Sequence, residues 1–212
     1  MSGLFHFPEY ITGKIRLHMF NPLQLTFPLD DAQWNGYASL FKPMKVPART
    51  VLLKEGDVAK KLFLIEKGCI RVWFNREGKD ISFQFFFENQ MVASIESFRK
   101  ALPSPVTIET IEPAVVWYLH KRDVQRMITE ISRIPVLRDQ FIDAVFERTF
   151  DYMKHFFSFI KDTPLQRYCN LVKEKPWIVQ RVPQHYIASY LGISTVHLSR
   201  IKGKLAREKP PA

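Results

Sequence analysis

The chain has 212 residues and a formal net charge of +10, with 46% hydrophobic and 14% aromatic residues. This composition excludes wholesale disorder, because so many apolar side chains can bury a sizeable core. Residues 161–212 carry ten lysine and arginine residues against three acidic ones, a net +7. A cationic quarter beside a near-neutral remainder favours a polyanionic partner, nucleic acid rather than membrane. A basic surface that serves only solubility is the alternative.

The setting of the protein is indicated by its thiols and its hydropathy. The two cysteines, Cys69 and Cys169, lie 100 residues apart. No stretch approaches the roughly 18 apolar residues that a bilayer span requires, and the N-terminal residues lack the pattern of a signal peptide. We therefore predict a cytoplasmic protein without a membrane segment, whose thiols are structural or incidental.

The N-terminal half is predicted to form a β-domain. Residues 1–41 are expected to be an irregular segment and a short helix with Asp30 or Asp31 as N-cap. Residues 42–120 then show short β-rich runs separated by turn residues, several of which alternate apolar and polar positions. The predicted strand segments are TVLL, KLFLIE, CIRVWF, DISFQFFF, QMVASI, VTIETIE and AVVWYLH. This spacing predicts an antiparallel β-roll or jelly roll within an α+β protein.

Two helices are predicted over residues 121–160. KRDVQRMITEI reads as the first, and Pro135 suits the first turn of a second helix that extends to Ile160 without internal glycine or proline. The second helix has too many apolar residues for one buried stripe, so it needs two surfaces to cover them. A second copy of the same helix is the simplest cover, and burial against the C-terminal domain is the alternative. The predicted dimer-helix residues are Phe141, Val145, Phe146, Met153 and Phe156.

Residues 161–212 are predicted to form a small helical domain. Thr163 caps its first helix, and the segment PWIVQRV connects this helix to another that begins near Gln184. Gly192 is expected to supply a left-handed turn and Ser194 to cap the last helix, whose apolar positions are Val196, Leu198, Ile201 and Leu205. This is a helix-turn-helix pattern, although similar helical hairpins occur in proteins that never meet DNA. The candidate DNA-binding residues are Gln184, Thr195, Val196, His197, Ser199, Arg200, Lys202 and Lys204.

The order of these parts resembles the Crp/Fnr family of bacterial transcription regulators over roughly residues 30–205. The resemblance is carried by LLKEGDVAKKLFLIEKGCIRVWFNREGKDISFQFFFENQMVASIESF in the roll and VPQHYIASYLGISTVHLSRIKGKL at the helix-turn-helix. It implies a cyclic-nucleotide-binding type of roll, a long dimerisation helix and a C-terminal DNA-binding domain. It further implies a homodimer that binds pseudo-palindromic double-stranded DNA and contacts RNA polymerase.

The resemblance also shows which ligand groups the roll lacks. Family members that bind cyclic AMP carry a Gly-Glu pair for the ribose and an Arg followed by Ser or Thr for the phosphate. Ala93-Ser94 and Ser104-Pro105 stand at these places here. Without the guanidinium a bound phosphate loses its charge-assisted bidentate contact, so we expect no cofactor. The roll is then expected to bind either an unidentified small ligand in an altered pocket or no ligand. The alternative is a cyclic-nucleotide-responsive regulator with a non-standard pocket, in which Glu96 takes the ribose. The candidate pocket residues are Ser94, Ile95, Glu96, Ser104 and Pro105.

The chain lacks the residues that other sensing groups and roll-type enzymes require. An iron–sulfur cluster needs about four cysteines, and the chain has two. Haem would need an axial ligand such as His18, His120 or His155, each of which is more simply a structural histidine. A roll-type metalloenzyme needs several histidines in the barrel, and residues 49–116 contain none. We therefore predict no metal and no enzyme. A dimeric signalling adaptor without DNA binding is the third hypothesis, which the cationic C-terminal quarter and Arg200 oppose.

The last helix departs from the family at its reading positions. The resemblance implies an Arg or Pro, then a Glu, and an Arg one turn later, where this chain has Thr195, Val196 and Arg200. Arg200 can form a bidentate pair with O6 and N7 of guanine. Val196 cannot accept a hydrogen bond from cytosine, and contact with a thymine methyl is one substitute. Lys202 and Lys204 are expected to contact phosphate.

Overall fold

The computed structural model describes residues 36–208, so the short helix predicted to begin at Asp30 or Asp31 starts outside the described residues. The strands are β1 (Lys42–Val46), β2 (Val51–Leu53), β3 (Lys61–Lys67), β4 (Ile70–Arg76), β5 (Lys79–Phe86), β6 (Met91–Val92), β7 (Thr107–Thr110) and β8 (Ala114–His120). The helices are α1 (Ile95–Lys100), α2 (Lys121–Ile131), α3 (Pro135–Lys161), α4 (Pro164–Glu174), α5 (Pro176–Arg181), α6 (Gln184–Tyr190) and α7 (Thr195–Glu208).

The strands form two four-stranded sheets, with the orders β1-β8-β3-β6 and β2-β7-β4-β5. In the first sheet β8 pairs antiparallel with both β1 and β3, and Ile65 lies opposite Val116. These sheets form an antiparallel roll that is followed by helices. The predicted fold class is therefore confirmed.

The described residues fall into two compact units. One comprises residues 36–70 and 86–146, and the other comprises residues 71–85 and 147–208. The core of the first unit combines apolar side chains from β3, β8, α1, α2, the start of α3 and the segments before β1 and β3. Its buried members are Ala38, Phe41, Ala59, Leu64, Phe98, Trp117, Leu119, Val124, Met127 and Leu137. Full burial of one large side chain of this kind stabilises the fold by about 1.5–3 kcal/mol.

One tight turn in the first unit requires glycine. Gly68 has φ +108°, and a Cβ built on it would lie 2.7 Å from the Cβ of Ala114. A larger residue would therefore be strained in its backbone and would also clash with the first residue of β8. The close approach brings the β3–β4 turn against the start of β8, one of the two central strands of the first sheet.

Three elements differ from the prediction. QMVASI was predicted as a strand, but only Met91–Val92 is one, and α1 follows at once. Short apolar runs do not distinguish strand from helix, and the Glu96–Lys100 pair at 2.8 Å supports the helix. Strand β1 was not predicted, because Pro43 suits only an edge strand. PWIVQRV was predicted as a connector, yet it forms α5, with Pro176 in the first turn.

Helix α3 has 27 residues and begins at Pro135, as the sequence predicts. At 1.5 Å per residue its length is about 40 Å. Leu137 is its one fully buried residue among those described. The predicted dimer-helix residues all lie exposed on it, from 41% for Phe141 to 63% for Phe156. The cover of these side chains, by a second copy of the helix or by the C-terminal domain, stays a prediction.

Candidate nucleic-acid interface

The two helices of the helix-turn-helix pattern pack through a small apolar core. Ile187 and Leu191 on the α6 side are buried, as are Leu198 and Ile201 on α7. Leu198, Ile201 and Leu205 recur at spacings of three and four, so they share one face of α7. This packing fixes α7 against α6 and leaves the opposite face of α7 exposed.

The turn between the helices has the predicted geometry. Gly192 has φ +67°, and the Ile193 N–H donates to the carbonyl of Ala188 at 3.0 Å. A Cβ at Gly192 would lie 3.0 Å from Cε1 of Phe159, so both the backbone and the neighbouring ring favour glycine. Ser194 Oγ accepts a hydrogen bond from the N–H of His197 at 3.1 Å. That bond is the predicted N-cap of α7.

Most candidate DNA-binding residues lie on the exposed side of the helix-turn-helix. Thr195, Val196, His197, Ser199, Arg200, Lys204 and Gln184 are exposed, whereas Lys202 is half-buried. Val196 was predicted among the apolar packing positions of α7, and that assignment is wrong, since it is 60% exposed. It lies two residues before Leu198, which is about 200° around the helix. Its exposure leaves it with Arg200 on the surface of α7.

Cations are concentrated along one face of α7. This face carries Ser199, Arg200, Gly203, Lys204 and Arg207. Three of these five residues are cationic, and they span two turns of the helix. The face therefore combines positive potential with a helix whose width matches a DNA major groove.

Arg167 on α4 has a structural place in the domain. Its Nη1 donates to the carbonyl of Asp162 at 2.8 Å, and its Nε donates to the carbonyl of Leu191 at 3.2 Å. The second bond satisfies a carbonyl at the end of α6, where helical carbonyls lack intrahelical partners. Thr163 and Gln166 form a capping box at the start of α4, as the predicted cap requires.

The two candidate sensing serines of the roll contact each other. Ser94 and Ser104 are buried, and their hydroxyl oxygens lie 2.9 Å apart. Ser104 Oγ also lies 2.7 Å from the carbonyl of Val106 and 3.2 Å from its N–H. The Ser104 hydroxyl thus has a complete set of partners within the protein. These two side chains satisfy each other at the place where the resemblance would put ribose and phosphate.

The remaining pocket candidates are exposed, unlike these two serines. Ile95, Glu96 and Pro105 are exposed. The hydrogen bond from Lys100, and then its charge, lowers the pKa of Glu96. Glu96 is thus paired with Lys100 on the exposed surface of α1.

The loop that carries Ser104 is fixed to another loop of the roll. The Ser104 N–H donates to the carbonyl of Asp57 at 2.8 Å, and the Gly56 N–H donates to the carbonyl of Ser104 at 2.8 Å. Ser97 Oγ accepts from the N–H of Ala59 at 2.9 Å. These bonds occupy backbone groups that an anion would otherwise need as donors.

Within residues 36–208 no group of three or more His, Cys, Asp and Glu residues could hold a metal ion. None of the helices in this range is long and apolar enough to cross a bilayer.

Comparison with known proteins shows which folds this arrangement resembles. Residues 43–130 match the family model of the cyclic nucleotide-binding domain. The c-di-GMP responsive global regulator CLP of Xanthomonas campestris is 16% identical, with a TM-score of 0.66 over 86% of this chain and 96% of that one. The chain has the fold of a Crp/Fnr-type regulator. FixK2 of Bradyrhizobium japonicum is 12% identical, with a TM-score of 0.67 over 79% of this chain and 85% of that one.

A third solved structure shares the Crp/Fnr fold. The catabolite activator protein of Thermus thermophilus is 16% identical, with a TM-score of 0.52 over 90% of this chain and 91% of that one. No curated protein sequence matches the chain. The predicted resemblance to the Crp/Fnr family is thus confirmed at the level of the fold, both over the roll and over the helices that follow it.

An aromatic contact attaches the helix-turn-helix of this Crp/Fnr fold to the long helix. The sequence did not predict it. The His155 ring on α3 stacks on the Tyr190 ring on α6 with centroids 4.6 Å apart, and Nδ1 lies 3.3 Å from the phenolic oxygen. Burial, followed by the charges of Lys175 and Arg167, lowers the pKa of His155 to about 4. Burial raises the pKa of Tyr190 to about 12. The spacing of 35 residues between them carries no local signal.

The low pKa of His155 predicts a pH-dependent stability. In the unfolded chain its pKa returns to about 6.5, so between about pH 6.5 and pH 4 the unfolded state binds more protons than the folded state. The free energy of unfolding therefore falls as the pH is lowered through this window. Thermal melts of the wild type and His155→Phe between these limits should show a steeper loss in the wild type. Parallel losses in the two proteins would contradict this account.

Proposed function

We propose that this protein is a sequence-specific DNA-binding transcription regulator that acts as a homodimer. The observation that carries the proposal is the exposed cationic face of α7, which a glycine turn and a serine cap hold on a buried helix-turn-helix core. A recognition helix in this arrangement enters the major groove. Residues 161–212 are assigned to DNA binding, 42–120 to the roll and 121–160 to the dimerisation region.

The exposed residues of α7 and the half-buried Lys202 divide into base-reading and phosphate-binding groups. Arg200 is assigned to guanine, because its guanidinium can donate to O6 and N7 together. Val196 is assigned to a thymine methyl group, since it is exposed and cannot form hydrogen bonds. Lys202, Lys204 and Arg207 are assigned to phosphate contacts, which set register and salt dependence.

The homodimer is assigned to the exposed face of α3. Its seam residues recur at alternating spacings of four and three, the pattern of a two-stranded coiled coil: Ile142, Phe146, Thr149, Met153, Phe156 and Ile160. The apolar residues of this seam are all exposed in the single chain. A two-fold axis along α3 would place two copies of α7 on adjacent major grooves about 34 Å apart. The regulator would contact RNA polymerase in the cytoplasm, as the family resemblance implies.

The roll is proposed not to bind cyclic AMP in the family manner. The hydrogen-bonded Ser94 and Ser104 provide neither a carboxylate for the ribose nor a guanidinium for the phosphate. CLP is described as c-di-GMP responsive, so a regulator that binds a cyclic nucleotide in a non-standard pocket is the second candidate.

Cyclic AMP is expected to leave the thermal stability of the protein unchanged. At about 1 mM nucleotide, a site with a Kd of about 10 µM would raise the free energy of unfolding by about 2.7 kcal/mol, which is several degrees in Tm. Differential scanning fluorimetry with cyclic AMP and with AMP as the control measures this. A rise of several degrees with cyclic AMP alone would refute the proposed loss of the site.

DNA binding itself is tested by fluorescence anisotropy with labelled double-stranded DNA over a range of salt concentrations. A cationic α7 that neutralises several phosphates should give a Kd that rises steeply with salt, with a slope of about 0.9 per phosphate contact on logarithmic axes. A chain that binds no duplex at low salt would refute the proposed function.

A further inference from the structure

A buried arginine joins the β4–β5 hairpin, residues 71–85, to the first helix of the helix-turn-helix. Among the described residues Arg71 is the only charged one in the buried core, with 1% of its surface exposed. Its Nε donates to Ser82 Oγ at 2.9 Å, and its guanidinium carbon lies 4.0 Å from the centre of the Tyr186 ring. Asp80 Oδ2 lies 3.8 Å from Nη1. Burial of a charge is costly unless partners compensate it, and one of these partners lies on α6.

A serine of α6 forms hydrogen bonds with backbone groups of β5 in the same hairpin. Ser189 Oγ accepts from the N–H of Ser82 at 2.8 Å and donates to the carbonyl of Asp80 at 2.9 Å. Within residues 36–208, strand β5 lies at the edge of its sheet, so these backbone groups face no neighbouring strand of the described part of the chain. One hydroxyl of α6 thus takes the place of a strand partner for both groups.

The hairpin also contacts the long helix. The rings of Phe83 and Tyr152 on α3 stack with centroids 5.9 Å apart, and the rings of Phe85 and Tyr190 lie 5.3 Å apart. All these residues belong to one compact unit, residues 71–85 and 147–208. The hairpin therefore binds both α3 and α6 while leaving the exposed residues of α7 uncovered.

We propose that Arg71, Tyr186 and Ser189 are positioning residues that hold the helix-turn-helix at a fixed orientation on α3. This inference rests on the proposed function, since the orientation of the helix-turn-helix matters when the two copies of α7 in a dimer bind one DNA duplex. Because α3 carries the proposed two-fold axis, a fixed orientation sets the distance between the two copies of α7. The contacts thereby determine which spacing of half-sites the dimer accepts, without contacting DNA.

The test compares Ser189→Ala with Ser158→Ala in the full chain. Alanine favours helix at both positions, and Ser158 Oγ donates within α3, to the carbonyl of His155. Duplexes are built from the motif that the wild type selects: two half-sites at the preferred spacing, the same with one base pair added or removed, and a single half-site. Anisotropy gives each affinity, and a thermal melt reports folding.

Ser189→Ala is expected to bind the two-half-site duplex about tenfold more weakly, which matches the loss of two neutral hydrogen bonds. Its affinity for the single half-site should equal that of the wild type, and its discrimination between spacings should fall. Ser158→Ala should match the wild type in both affinity and spacing discrimination. Unchanged spacing discrimination in Ser189→Ala would overturn the inference, as would an equal loss on the single half-site. A wild type that binds none of the duplexes would instead refute the proposed function.

A second pair of variants tests the arginine contact without removing a buried charge. Tyr186→Phe keeps the aromatic face over the Arg71 guanidinium, and Tyr186→Leu removes it. The leucine variant is expected to lose about fivefold more affinity than the phenylalanine variant on the two-half-site duplex, and to accept altered spacings. Equal behaviour of the two variants would overturn the role given to Arg71 and Tyr186.

Discussion

Replacement of Arg200 with alanine is expected to abolish the sequence preference of DNA binding while leaving residual non-specific binding. Arg200 is exposed on α7 in the half that enters the major groove in the proposed complex. A bidentate arginine–guanine pair discriminates against the wrong base by about 1–3 kcal/mol, and a dimer has two such pairs. Competition between a selected duplex and a scrambled duplex of equal length measures the preference.

The matched control for Arg200→Ala is Lys202→Ala. It removes a cation two residues away that is assigned to phosphate, so binding to both duplexes should weaken about equally. The salt slope should fall by about two, because each protomer of the dimer loses one phosphate contact. If Arg200→Ala retains the wild-type preference, α7 does not read bases through this residue and the proposed reading face is wrong.

Conversion of Phe156 to glutamate is expected to turn the homodimer into a monomer. Phe156 is 63% exposed in the single chain and lies in the proposed seam of α3. In the dimer two glutamates would face each other across the two-fold axis, and the burial of two phenylalanine rings would be lost. Size-exclusion chromatography with light scattering gives the mass of the wild type and the variant at the same concentration.

The same variant should lose most of its affinity for DNA. Two linked helix-turn-helix domains bind a two-half-site duplex about 10²–10⁴-fold more tightly than one such domain. Lys154→Glu is the control, because it lies about 200° around the helix from Phe156 and adds a carboxylate outside the seam. A Phe156→Glu protein that remains dimeric would show that α3 does not form the interface through this face.

The sequence predicted the elements whose signals are local and long. Helix α3 begins at Pro135 and has no glycine or proline inside, and Gly192 and Ser194 mark the turn and cap by their own chemistry. Helices α1 and α5 were missed because six residues give too short a period to separate helix from strand or connector.

The candidate site was predictable only where the residue types themselves decide its chemistry, without contacts between distant segments. The missing glutamate and arginine of the roll are visible in the sequence, but the mutual hydrogen bond of Ser94 and Ser104 is not, because it depends on two loops meeting. The contact between Ser82 and Ser189 joins residues 107 apart in the chain. No local pattern marks either serine, and Arg71 reads in the sequence as an ordinary charge in a strand.

Selection of bound sites from random double-stranded DNA, with and without cyclic AMP, tests the central proposal most directly. A homodimer that reads through Arg200 should enrich a motif with two-fold symmetry, a guanine in each half-site and half-site centres about one helical turn apart. The same motif should appear whether or not the nucleotide is present. Failure to enrich any motif, or enrichment only with cyclic AMP, would contradict the account.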